Sequence, residues 1–238
     1  MYSSSASAGG ESTDWRRAVV SGDGETEGPV QKLLQCLEWV YEGALNGIPG
    51  VDGVEDLAQS YSAKHRCADD AIDSLVSWQI AKASTAGFIT GIGGILTLPV
   101  AIPANLAGVL YIQIRMIGAI AHLRGYDVRS DQVRTLAFAC LAGSAALDIL
   151  KDLGINIGAQ LTRQIIFRIS GEVLKRINRA VGFRLVTKAG TRGVVNLVKV
   201  VPLVGGFVGG ALDAAATNVI GRTAKQVFVP IRVDPEGA

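Results

Sequence analysis

His65, Asp69 and Asp73 recur at i, i+4 and i+8, a spacing that would set one imidazole and two carboxylates on one face of a helix. Those side chains in that pattern could hold a divalent metal or work as a general acid and base, the equipment of a hydrolase. A plainer account fits the same residues: Asp69 and Asp70 suit a first helical turn, where carboxylates oppose the positive end of the helix dipole, and Asp73 suits a solvated face. His122, near the end of an apolar segment, reads as a packing residue. No GxSxG, HExxH or GxxxxGK[ST] pattern occurs, and the glycines of "GFITGIGG" follow no strand, so no nucleotide loop is written there. No cofactor and no metal are expected.

Four further charges sit in apolar surroundings: Lys82, Arg115, Asp148 and Asp213. Burying an unpaired ion costs several kcal/mol, so each should pair or reach water. Asp213 has no other charge between Lys199 and Arg222; Lys82 or Arg115 is its expected partner.

The elements that must position these groups are helical. "PVQKLLQCLEWVYEGAL" gives an amphipathic helix begun by Pro29 and ended by "NGIPG". A short helix follows from Gly53 to His65, then a longer one opening on Asp69 and Asp70. "AIPANLAGVLYIQIRMIGAIAHLRGYD" is the longest helical pattern, from close to Pro103 to Gly125. Ser130 reads as the N-cap of the next helix, and "SAALDILKDLG" as a short one closed by Gly154. A helix is expected from Asn156 to Ile169, and in "EVLKRINRAVG" apolar Val173, Leu174, Ile177 and Val181 oppose basic Lys175, Arg176 and Arg179. "VFVPIRV" is the one short strand that the pattern admits.

From Lys82 to Arg115 there are 32 intervening residues without a charge, enough for one transmembrane helix of about 20 residues but short for two. Pro99 and Pro103 divide that run, since each removes a backbone donor and disfavours helix at the residue before it. Two half-length helices and a break are expected, a hairpin in which Gly87, Gly91 and Gly94 allow close helix contact. A looser echo surrounds Pro202, with Gly205 and Gly209 at the same small-residue spacing. The expectation is an all-α protein: an N-terminal disordered tail over 1–28, one helical domain over 29–230 with the two apolar hairpins packed together, and a short tail over 231–238.

Composition tilts this fold toward lipid. The 238 residues are 49% hydrophobic and 18% charged, less charged than the roughly 25% of ordinary soluble domains. The formal charge of +2 conceals an asymmetry: residues 1–73 carry 13 acids against 5 bases, while residues 160–200 carry 9 bases against Glu172 alone. The basic rear could meet the acidic front or an anionic surface. Interleaved aromatics are missing from it, and aromatic residues make up 6% of the chain, so no nucleic-acid partner is expected. Cys36, Cys67 and Cys140 form no CxxC pair and read as small buried hydrophobes in a reducing compartment.

Trp78, Lys82, Gly87, the paired prolines, Gln113, Arg115, Gly125, Asp127, Pro202 and Asp213 stand in an order that resembles the EcsC family over roughly residues 55–228. The resemblance implies a bacterial, helical, membrane-associated protein and brings no catalytic residues to carry over. The expectation is therefore a non-enzymatic accessory or regulatory protein, peripheral or partly inserted at the cytoplasmic face of a membrane and linked to a transporter or envelope process. Its partners would be anionic lipid and a membrane protein. A membrane-inserting pore-former and a hydrolase built on His65 are the alternatives.

Overall fold

Between Ala104 and Leu123 the ionisable side chains are Tyr111, Arg115 and His122, so a helix here has no continuous polar face to offer water and must be enclosed. A computed structural model describes residues 24–83, 104–155, 166–193 and 205–231, and its described residues form eight α-helices and no strand. In chain order these are α1 (Gly24–Asn46), α2 (Val54–Ser62), α3 (Ala68–Ala83), α4 (Ala104–Leu123), α5 (Asp131–Leu141), α6 (Ala145–Asp152), α7 (Gly171–Gly193) and α8 (Gly205–Val227). The enclosed segment is α4, which packs against α1, α2, α3, α5 and α8. Every residue from Leu110 to Ala121 is buried. The core continues outward through Leu37, Tyr41, Ile72, Leu75, Phe138 and Phe228, with α7 laid across α1, α5 and α6.

Close backbone approach is provided by glycine at the helix crossings. A Cβ added at Gly118 of α4 would lie 2.9 Å from Val54 of α2, and one added at Gly221 of α8 would lie 2.9 Å from Val76 of α3. Gly125 ends α4 with φ 84°, a left-handed conformation that glycine adopts without penalty. Ser130 caps α5 as its position suggested, its hydroxyl accepting from the Val133 amide at 3.4 Å, and Ser170 accepts in the same way from Val173 at the start of α7.

Long-range polar contacts lock the packing. The Tyr41 hydroxyl donates to the Val128 carbonyl at 2.8 Å, Tyr126 donates to Val229 at 2.8 Å, and the buried amide of Gln113 donates to Thr217 at 3.3 Å. Asp69 pairs with Arg124, Asp73 with Lys225, and Arg134 with Asp131, Glu38 and Glu42. In these pairs the acidic front meets Arg124, Arg134 and Lys225, bases that lie outside the basic stretch of residues 160–200.

Several expectations change. The first helix starts at Gly24, inside the segment read as a tail, and Pro29 lies within it; near an N-terminus the missing amide costs little because neighbouring amides lack intrahelical partners too. In the described part of "VFVPIRV" no strand is formed, since Val227 ends α8 and residues 228–231 are irregular. Cys36 and Cys140 are buried, but Cys67 is exposed: it sits just ahead of α3, where its sulfur lies 3.5 Å from the Asp70 amide and takes the place of a capping oxygen. Most of the helix expected from Asn156 to Ile169 lies outside the described residues, as do Gly87, Gly91, Gly94, Pro99, Pro103 and Pro202 of the two apolar hairpins. Gly205 and Gly209 fall in the first turns of α8.

Two substitutions probe this packing. A Cβ at Gly53 would lie 2.4 Å from the Leu45 carbonyl oxygen, backbone that cannot rotate aside, so Gly53→Ala should destabilise by about 1–3 kcal/mol in a denaturant titration. Tyr41→Phe leaves the buried Val128 carbonyl without its donor and should cost about 1–2 kcal/mol by the same measurement, with the helical circular dichroism retained.

Candidate functional site

Leu57, Ser60, Tyr61 and Lys64 follow one another at the i, i+3, i+4, i+7 spacing of a single helical face, carried by α2 and the turn after it. Ser74, Ser77, Trp78 and Lys82, at i, i+3, i+4 and i+8, likewise share a face of α3. The two faces oppose each other across an open cleft of about 690 Å³, with Asp52 and His65 at its margins and Arg115 of α4 also lining it. α4 thus presents its one strongly basic side chain where two shorter helices part.

Arg115 is 5% exposed, and its Nε has no hydrogen-bond partner. No carboxylate among the described residues lies within ion-pairing distance of it. Burial lowers the pKa of its guanidinium, an effect that the more distant Asp52 and Asp56 carboxylates oppose. One turn earlier on the same helix, the buried Tyr111 hydroxyl is also unpartnered. Lys82 is half-buried, and its pKa is lowered by burial and then by the charge of Arg115. Its ammonium lies 5.7 Å from the centroid of the Trp78 ring, within cation–π range. Trp78 itself is 55% exposed.

The residues singled out in the sequence separate in space. His65 lies in the turn before α3, not on it; its ring stacks on Tyr61 at 6.2 Å, and its Nδ1–H donates to the Tyr61 carbonyl at 2.8 Å. Asp69 and Asp73 are exposed on α3 and engaged by Arg124 and Lys225. The three therefore do not share a helical face, because the helix begins only at Ala68. Among the described residues no group of three His, Cys, Asp or Glu side chains could hold a metal ion.

Of the four charges expected in apolar surroundings, Arg115 is buried, Lys82 and Asp213 are half-buried, and Asp148 is exposed on α6. Asp148 falls on the solvent side because Ala146, Ile149 and Leu150 form the buried side of that short helix. The pairing expected for Asp213 is not formed with either Lys82 or Arg115; burial alone raises its pKa. Arg124, 9% exposed and paired with Asp69, was not among the expected buried charges. The Lys64, Tyr61 and Asp52 side of the cleft was not singled out either, although the i, i+3, i+4, i+7 spacing that unites it is readable in the chain.

The basic surface lies elsewhere. On α7, Leu174, Ile177, Ala180 and Val181 are buried, Lys175 and Arg176 are exposed, and Arg179 is half-exposed. Just before it, Arg168 is exposed and Phe167 is 46% exposed. No described helix is long and apolar enough to cross a membrane.

No curated protein and no solved structure matches the chain. The EcsC protein family model does match, over residues 26–229, from the first turn of α1 to the irregular segment after α8. A match of that extent, spanning α4 and all the helices that enclose it, means that the chain belongs to the EcsC family.

Proposed function

We propose that this EcsC-family protein is a non-enzymatic accessory or regulatory protein that works at the cytoplasmic face of a membrane, bound peripherally to anionic lipid. The observation that carries the reading is the basic face at the start of α7. Arg168, Lys175 and Arg176 are exposed there beside an exposed aromatic side chain, Phe167. Each such cation is worth about 1 kcal/mol near an anionic bilayer, and an interfacial aromatic ring adds apolar contact.

Peripheral binding is favoured over insertion by where the apolar side chains go. The apolar stripe of α7 is already used against α1, α5 and α6, so among its described side chains it is the polar face that is left to meet a bilayer. The last quarter of the uncharged run, from Ala107 to Ile114, lies in α4 under five other helices. A partner embedded in the membrane, such as a transporter or envelope component, would be met by the protein from that surface.

The test is vesicle co-sedimentation of the full chain with phosphatidylglycerol-containing and neutral vesicles at low and high salt. Binding to the anionic vesicles alone, falling with salt, is expected. Lys175→Gln with Arg176→Gln removes two exposed cations and should weaken it about 30-fold, the equivalent of roughly 2 kcal/mol, with no change in thermal unfolding. Equal binding by the double variant, or none by the wild type at low salt, would overturn the reading.

A further inference from the structure

We infer that the cleft between α2 and α3 is a binding site for a phosphate monoester, with Arg115 as its anchor. The argument begins with a charge lacking its counter-charge. A buried guanidinium is normally fixed by a carboxylate or by several hydrogen bonds, because an unpaired buried ion is costly. Arg124 obeys that rule, buried at 9% exposure and paired with Asp69. Arg115, at 5% exposure, does not: both guanidinium groups have an unpartnered Nε, but Arg115 has no described carboxylate within reach, and the nearby Tyr111 hydroxyl is unpartnered as well.

The lining of the cleft adds further cations beside Arg115. Lys64 and Lys82 line the same cleft, facing a single carboxylate, that of Asp52. Lys82 is close enough to Arg115 for their charges to oppose each other. His65 donates its Nδ1–H to Tyr61, which leaves Nε2 as the ring atom available to a ligand. Two cations held together in a concave site call for an anion between them, and a guanidinium fork with ammonium groups around it matches the geometry and the double charge of phosphate.

The size of the cleft and Trp78 point to more than inorganic phosphate. About 690 Å³ lies within the range of small-molecule sites, and an exposed indole at the margin offers an apolar face to the organic part of the ligand. A soluble phosphate ester and the head group of phosphatidic acid share this chemistry.

The experiment uses the full chain and reads thermal unfolding and equilibrium binding at matched ionic strength, with inorganic phosphate and glycerol 3-phosphate as soluble probes and chloride as control. Phosphate should raise the melting temperature in a saturable way, and Arg115→Met should weaken its binding about 10- to 100-fold, the loss of a charge-assisted hydrogen-bonded contact. Because a buried unpaired charge is removed, the same variant should melt no lower than the wild type without phosphate. Lys82→Gln should weaken binding and Asp52→Asn should tighten it; both change side chains at the open cleft, so they keep the test informative if Arg115→Met fails to fold.

A second arm compares phosphatidic acid vesicles with phosphatidylglycerol vesicles of equal charge. Arg115-dependent preference for phosphatidic acid identifies a lipid source, and Arg115-dependent binding of glycerol 3-phosphate a soluble one. Lys175→Gln with Arg176→Gln should leave the soluble-phosphate shift intact, which keeps this site separable from the surface on α7. A shift that is absent from the wild type at millimolar phosphate, or unchanged by all three cleft variants, overturns the inference.

Discussion

The complete enclosure of α4 is the constraint on which the rest of the structure depends. A helix apolar on every side can be satisfied only by covering it on every side, and five helices do so here. Their order follows from the need: α1, α2 and α3 arrive before α4 in the chain and α5 and α8 after it, while α7 and α6 close the outer layer. Glycine at Gly118 lets α2 approach α4, and glycine at Gly221 lets α8 approach α3. Where α2 and α3 part, a cleft reaches down to α4, and the buried guanidinium of Arg115 is among its lining groups.

Local grammar was legible in the sequence, and contacts between distant segments were not. Ser130 could be read as a cap because capping depends on residues within one turn, and Gly125 and Gly154 as helix ends because their positive φ values, 84° and 82°, suit glycine. The all-α class followed from periodicity, which needs no partner. The pairing of Asp69 with Arg124 spans 55 residues and that of Asp73 with Lys225 spans 152, so no spacing rule reaches them. For the same reason His65, Asp69 and Asp73 looked like one constellation. Their regular spacing assumed a helix running through His65, whereas the chain turns between Ser62 and Ala68.

The charges show the same division. The chain's lopsided distribution of acids and bases was visible, but not how it would be resolved. Glu38 and Glu42 converge on Arg134, Glu55 meets Arg129, and Asp69 and Asp73 meet Arg124 and Lys225. Most of these pairs are solvent-exposed and individually worth little; together they engage five acids of the front within the fold. Lys175 and Arg176 remain exposed on α7, and Arg115 lies on the other side of the molecule's charge balance, under cover and without a carboxylate. One polarity in the sequence thus becomes two different kinds of positive site.

The middle position of α4 in the chain also dictates how the protein must be made. During synthesis α4 is complete while α5 and α8 are still unwritten, and the roughly 100 residues up to Phe228 take about 5–20 s at ribosomal speed. Through that interval one flank of the most apolar helix lacks its cover, and the contacts that will finish it join residues far apart in sequence, as Gln113 and Thr217 are, an arrangement that slows folding. The nascent chain is therefore at its stickiest when about half made, and a chaperone or a nearby bilayer would act on it then, before the native core exists.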